Sequence, residues 1–197
     1  MKTPPIFIHI PKVAGGSIRR SSLAPQTVAH DSRSKNYHYL KDFKTTTTPF
    51  SFSFVRNPWD RCVSAFRWLA SGGNSRADER DAQKYLLQYR TNFTSFIRYC
   101  KHNNDFLEQL HFKPQHHWIC DDDGNILIDF IGRFESLQAD FDRLCDILGS
   151  PREKLRHNKK PKKPQPPYTE YYNNETRKII KEKYAQDIDY FGYQFGD

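Results

Sequence analysis

Apolar runs and helically spaced apolar positions alternate along this chain and divide it before any chemistry enters. Ile6 to Ile10, IFIHI, is an almost continuous apolar run, as a strand covered on both faces requires. Gly15-Gly16-Ser17 interrupts it and opens a helix predicted to run to about Leu23. Pro25 to Lys35 is polar and reads as a loop, Asn36 to Phe43 as a short helix, and Thr45 to Thr48 as a turn. Phe50 to Val55 is aromatic and β-branched, the signature of a second strand. Asn57-Pro58-Trp59-Asp60 combines an N-cap, a first-turn proline and an acid at the positive end of the helix dipole. A helix is predicted from there to about Ala70, with Trp59, Val63, Phe66 and Trp68 as packing residues.

Ser71 to Ser75, SGGNS, stops that helix, and two more helical stretches follow over Ala77 to Tyr89 and Asn92 to Lys101. Asp121 to Asn125, DDDGN, reads as a turn between short strands, and Ile126 to Gly132 as a third strand. Phe134, Leu137, Phe141, Leu144, Cys145 and Leu148 recur at helical spacing, with Gly149 as the stop. Residues 157–167, HNKKPKKPQPP, form a basic, Pro-rich loop. A last amphipathic helix is predicted over Asn173 to Tyr184. Strands alternating with helices indicate an α/β fold with a largely parallel central sheet flanked by helices.

Composition narrows the class. The 197 residues predict a single domain, 1–197, large enough for a real core. An aromatic content of 15% argues against disorder. No run approaches the roughly 20 apolar residues of a bilayer span, and no apolar signal segment follows Lys2. Cys62, Cys100, Cys120 and Cys145 are isolated, with no C-x-x-C pair, so a zinc ribbon is disfavoured and a reduced, cytoplasmic protein is expected. The net charge of +8 fits an anionic partner: a nucleotide, nucleic acid, an acidic glycan or a membrane surface.

Two segments carry candidate anion chemistry. In IPKVAGGSI, Lys12 precedes Gly15, Gly16 and Ser17, directly after a strand and before a helix. Glycines let the backbone approach a phosphate, and the first N–H groups of a helix point at it. Lys12 adds a point charge and Ser17 a hydroxyl. The lysine of a Walker loop follows the glycines; here it comes before them, which disfavours an ordinary ATPase. In FSFVRNPWDRCVSAFRWL, Arg56 ends a strand at the carboxyl edge expected for ligands, and Ser64 lies two turns into the next helix. Arg56 offers planar, permanently charged donors suited to phosphate.

Together these segments resemble the sulfotransferase family. IPKVAGGSI resembles its 5′-phosphosulfate loop, and FVRNPWDRCVSAF resembles its 3′-phosphate motif, including the eight-residue interval from Arg56 to Ser64. DFIGRFESLQADFDRLCDILG and the YTEYY…YAQDIDYFGYQF tail are similar to small carbohydrate-type sulfotransferases of bacteria and viruses. The resemblance implies a P-loop-like, three-layer α/β fold and 3′-phosphoadenosine 5′-phosphosulfate (PAPS) as donor. It implies that Lys12, Val13, Ala14, Gly15, Gly16, Ser17 and Ile18 hold the 5′-phosphosulfate, with Lys12 also stabilising the leaving group. It implies that Arg56 and Ser64 hold the 3′-phosphate, and that Asn158, Lys159 and Lys160 lie in the loop that closes over the nucleotide. Many relatives have Thr where this chain has Val13 and Gly16, which leaves backbone N–H groups to make those contacts.

Sulfuryl transfer needs an in-line acceptor, neutralised oxygens and a stabilised leaving group; Lys and Arg can supply the charge, so no metal is expected. DDDGN lacks the later spacing of a calcium loop. An acceptor hydroxyl needs a general base, and histidine suits neutral pH. His30 is the first choice, because relatives often carry an active-site His between the two motifs; His38 is the second. His116 and His117 are candidates to line the acceptor pocket, within a helical acceptor-side insertion over 71–118. The expected acceptor is a hydroxyl of a sugar or small glycoconjugate. Two alternatives compete: a nucleotide-dependent kinase, and a non-enzymatic nucleic-acid-binding module motivated by the basic loop and the aromatics.

Overall fold

β1 (Ile6–Ile8), α1 (Gly15–Ile18), β2 (Gln26–Val28), β3 (Ser51–Val55), α2 (Pro58–Ala70), α3 (Arg76–Leu86), α4 (Phe93–His102), α5 (His116–Ile119), β4 (Phe130–Arg133), α6 (Leu137–Leu148), α7 (Asn174–Lys183) and α8 (Ala185–Phe191) follow one another along the chain. The structure, a computed structural model, describes residues 4–23, 25–28, 49–156 and 165–197. Contacts divide it into two compact units. The first comprises Met1–Arg56 with Gln115–Lys163, and the second Asn57–Pro114 with Pro164–Asp197.

The first unit holds the sheet, in the order β2-β1-β3-β4 with every neighbouring pair parallel. This is the α/β, parallel-sheet architecture that the alternation of elements predicts, and its order is P-loop-like. All of β1 and β3 is buried. In β3, SFSFV, the phenylalanines pack and the serines find partners. Phe52 stacks on Phe7 with ring centroids 5.1 Å apart. Ser51 donates N–H and Oγ–H to Asp129 Oδ2, at 2.7 and 2.8 Å. Ser53 Oγ donates to the Ile8 carbonyl at 2.7 Å. Gly132 in β4 is a packing glycine, since a Cβ there would lie 2.3 Å from the Phe54 ring. α6 packs on β4, and Asp140 near its start accepts from Arg133 N–H at 2.8 Å and Ser136 Oγ at 2.7 Å.

The second unit is helical around an aromatic core. Phe66, Phe93, Phe96, Phe106 and Phe112 are buried together with Trp59, Ile179, Ile180 and Tyr184. Asn57 caps α2 by accepting from Trp59 N–H at 3.1 Å, as its sequence predicts. Trp59 Nε1 donates to the Arg177 carbonyl at 3.0 Å, and Tyr184 Oη donates to that of Phe112 at 2.6 Å. A capping box of Asn173 and Thr176 starts α7.

Several boundaries differ from the sequence reading. α1 ends at Ile18 rather than near Leu23, and Ser21 Oγ then donates to the freed Ile18 carbonyl at 2.7 Å. β2 lies inside the stretch read as a polar loop. Its three residues, QTV, pair with β1 and have no hydrophobic signature of their own. The predicted third strand begins only at Phe130; Asp129 before it binds Ser51 through its carboxylate, and Ile126 makes an isolated bridge to Cys120. Phe134 lies outside α6. A further helix, α8, follows the predicted last one. The predicted helix over Asn36 to Phe43 lies outside the described residues. All four cysteines are free and buried, and burial pushes the Cys62 thiol up to about 12 against the opposing Tyr172 hydrogen bond. Among the described residues, no helix is long and apolar enough to cross a membrane.

Candidate active site

The order β2-β1-β3-β4 places successors of β1 on both of its sides, so the chain direction across the sheet reverses between β1 and β3. Open parallel sheets bind ligands at such a switch point, beyond the carboxyl ends of the strands. Here β1 and β3 pair only as far as Phe7↔Phe52. Beyond that, side chains bridge the gap, beginning with the Ser53 hydroxyl on Ile8. The Lys12–Ser17 segment follows β1, and Arg56 follows β3.

The loop backbone is tightly wound. Lys12 and Ala14 both occupy the left-handed region, at φ 73° and 67°. That conformation costs a non-glycine residue about 1–2 kcal/mol, and surrounding contacts must hold it. One such contact is visible: Arg56 Nη1 donates to the Lys12 carbonyl at 3.0 Å. Gly15 is required for a different reason. A Cβ on it would sit 1.9 Å from His9 Nε2, so the buried His9 ring occupies the place of a side chain. Val13 and Ile18 are fully buried, Ser17 is nearly so, and Lys12, Ala14 and Gly16 are partly exposed. Val13 is thus a core residue here, and its backbone alone is left for a ligand.

Gly15→Ala is expected to destabilise the protein by about 1–3 kcal/mol through overpacking, read as a fall of several degrees in Tm. His9→Ala in the same chain should recover part of that loss. An unchanged Tm for Gly15→Ala would show that the ring does not fill this space.

Several contacts hold Arg56. Gln115, fully buried, grips its backbone: Arg56 N–H donates to Gln115 Oε1 at 2.9 Å, and Gln115 Nε2 donates to the Arg56 carbonyl at 2.8 Å. The guanidinium carbon lies 3.9 Å from the centroid of the Phe134 ring, a cation–π contact. The Lys12 carbonyl is another hold. Neither Gln115 nor Phe134 was a candidate from sequence. The only signal for Gln115 was its place beside Pro114 and His116, and the helical spacing of Phe134 with Leu137 masked its role.

Ser64 lies on α2 in the second unit, partly exposed. His116 is buried and His117 exposed at the start of α5, with ring centroids 4.3 Å apart. His30, His38, Asn158, Lys159 and Lys160 lie outside the described residues. Among the described residues, no group of three or more His, Cys, Asp or Glu is arranged to hold a metal ion. The charge is uneven: 18 of the 31 Lys and Arg and 11 of the 23 Asp and Glu fall in the first unit, which carries +7 of the +8.

A glycine loop preceded by a lysine, at a switch point and tied to an arginine on the next strand, makes a specific family testable. The sequence matches the family model described as "Sulfotransferase family" over residues 5–194. The chain belongs to the sulfotransferase family. Comparison with curated proteins and with solved structures found no match. The family's chemistry is sulfuryl transfer, so the protein is a transferase. In this sulfotransferase the loop bearing Lys12 and the strand end bearing Arg56 are joined by a direct hydrogen bond.

Proposed function

We propose that this sulfotransferase moves a sulfuryl group from PAPS to a hydroxyl of a sugar or small glycoconjugate. The observation that carries the donor assignment is the Arg56–Lys12 bond at the β1/β3 switch point. It gathers a backbone loop, an ammonium and a guanidinium at one sheet edge, as a nucleotide with two separate anionic groups requires. The +7 charge of that unit supports the same reading.

In this proposal Lys12, Val13, Ala14, Gly15, Gly16, Ser17 and Ile18 cradle the 5′-phosphosulfate through backbone N–H groups and the Ser17 hydroxyl. The Lys12 ammonium neutralises charge growing on the bridging oxygen as the S–O bond breaks. Arg56 and Ser64 hold the 3′-phosphate, and Asn158, Lys159 and Lys160 close over the nucleotide. His30, or in second place His38, takes the acceptor proton. His116 and His117 line the acceptor side, in the segment 71–118. The four free, buried cysteines support a reducing compartment, the cytoplasm.

Isothermal titration with adenosine 3′,5′-bisphosphate tests the donor site. Binding is expected, and Arg56→Ala should weaken it by about 10²-fold, as removal of a charged hydrogen-bonding group does. No binding to the intact protein, with no effect of Arg56→Ala, would sink the proposal.

A further inference from the structure

We infer that Gln115 is a positioning residue for Arg56, and through it for recognition of the donor's 3′-phosphate. The inference rests on the proposed donor site. It begins with a backbone problem. On one side of β3, pairing with β4 continues past Val55, whose carbonyl accepts from Phe134 N–H at 2.8 Å. Backbone groups of successive strand residues alternate in direction, so those of Arg56 face the other way, toward β1. There the ladder with β1 has already ended at Phe7↔Phe52. The Arg56 N–H and carbonyl therefore lie beyond any strand partner.

Gln115 supplies that partner from its side chain. An amide carries one acceptor and one donor group in a plane, so it can replace a peptide unit of the missing strand. Its two bonds, at 2.9 and 2.8 Å, do so. Because Gln115 is 0% exposed, water cannot take over either bond if the amide is lost. The grip sets the Cα position and the backbone angle from which the guanidinium departs. Downstream, the guanidinium meets the Phe134 face and the Lys12 carbonyl. Neither can correct a displaced backbone: a ring face fixes height but not rotation, and the Lys12 carbonyl belongs to a strained loop.

The test compares two nucleotides that differ only in the 3′-phosphate, adenosine 3′,5′-bisphosphate and adenosine 5′-monophosphate, titrated into the intact protein. The quantity read is the ratio of their affinities. Gln115→Met keeps side-chain volume and removes both bonds; the ratio is expected to fall about tenfold, the scale of one hydrogen bond. Gln115→Glu keeps the acceptor, opposes the Arg56 carbonyl with a carboxylate, and should lower the ratio in the same direction. It serves as the test if the methionine variant does not fold. In an Arg56→Ala background, Gln115→Met should leave the ratio unchanged, because the amide acts only through Arg56. A general structural role would weaken both nucleotides equally, and an unaltered ratio in Gln115→Met or Gln115→Glu would overturn the inference while leaving the donor site standing. A wild type with no preference for the 3′-phosphate would overturn the donor reading and this inference together.

Discussion

Lys12→Ala is expected to lower kcat for sulfuryl transfer by about 10²–10³-fold while affinity for the intact donor changes only a few-fold. Removing a donor aimed at developing charge has effects of that size. In the bound donor, the bridging oxygen carries little charge; as the S–O bond opens it becomes a phosphate oxygen anion. A cation there is worth far more in the transition state than in the ground state, and only that difference raises kcat. The backbone argument makes alanine the right substitution. Residue 12 sits at φ 73° with its carbonyl held by Arg56, and Ala accepts that conformation as well as Lys does, as Ala14 shows at 67°. A β-branched replacement would mix backbone strain with charge loss. Single-turnover kinetics would measure the effect. If KM rose with kcat unchanged, Lys12 would be contributing uniform binding instead, and its proposed leaving-group role would fail.

The second large effect is on stability, in the helical unit. Arg61 is only 1% exposed and Asp187 is 0% exposed. Both act electrostatically on the buried Tyr184 phenol. Burial first, then Cys62, push that phenol well above its ordinary value; Arg61 opposes the rise and Asp187 adds to it. Two buried opposite charges, on α2 and α8, thus lie within electrostatic range of one buried phenol. If they compensate each other, removing one and leaving the other buried costs about 3–5 kcal/mol. Asp187→Ala should therefore lower Tm by roughly 6–20 °C in a chain of this size. Replacing both charges by apolar residues, Arg61→Met with Asp187→Leu, should be much less harmful than Asp187→Ala alone. Calorimetry on the variants decides. A loss below about 1 kcal/mol for Asp187→Ala would mean that the Arg61 charge is compensated without Asp187.

Much of the architecture was legible because it was written in local patterns. IFIHI and SFSFV are short and apolar enough to read as covered strands, and Asn57-Pro58 announces its helix through capping chemistry that operates within four residues. The Lys12–Ser17 loop was legible for the same reason. What stayed hidden depends on partners distant in sequence. β2 is a strand only because β1 lies beside it. Asp129 serves Ser51, 78 residues away, and Gln115 acts on Arg56 across 59. Phe134 shows the limit most clearly: its spacing fits a helix stripe, yet it sits beneath a guanidinium. Periodicity reports that a side chain avoids water, but not whether it is covered by carbon or by a cation.

The interleaving of the two units has a consequence for synthesis on the ribosome. Each unit is assembled from two separate stretches, and the chain alternates between them. β4 completes the sheet only after residue 133 has emerged, by which time all of 57–114 has been made and is waiting without α7 and α8. Those two helices bring Ile179, Ile180, Tyr184 and Ile188 to the aromatic core only once residue 188 has been made. Neither unit can finish folding before its second stretch has been made, so Phe66, Phe93 and Phe96 stay exposed until then. Such surfaces are what chaperones bind. Slowing translation would prolong that exposure rather than relieve it.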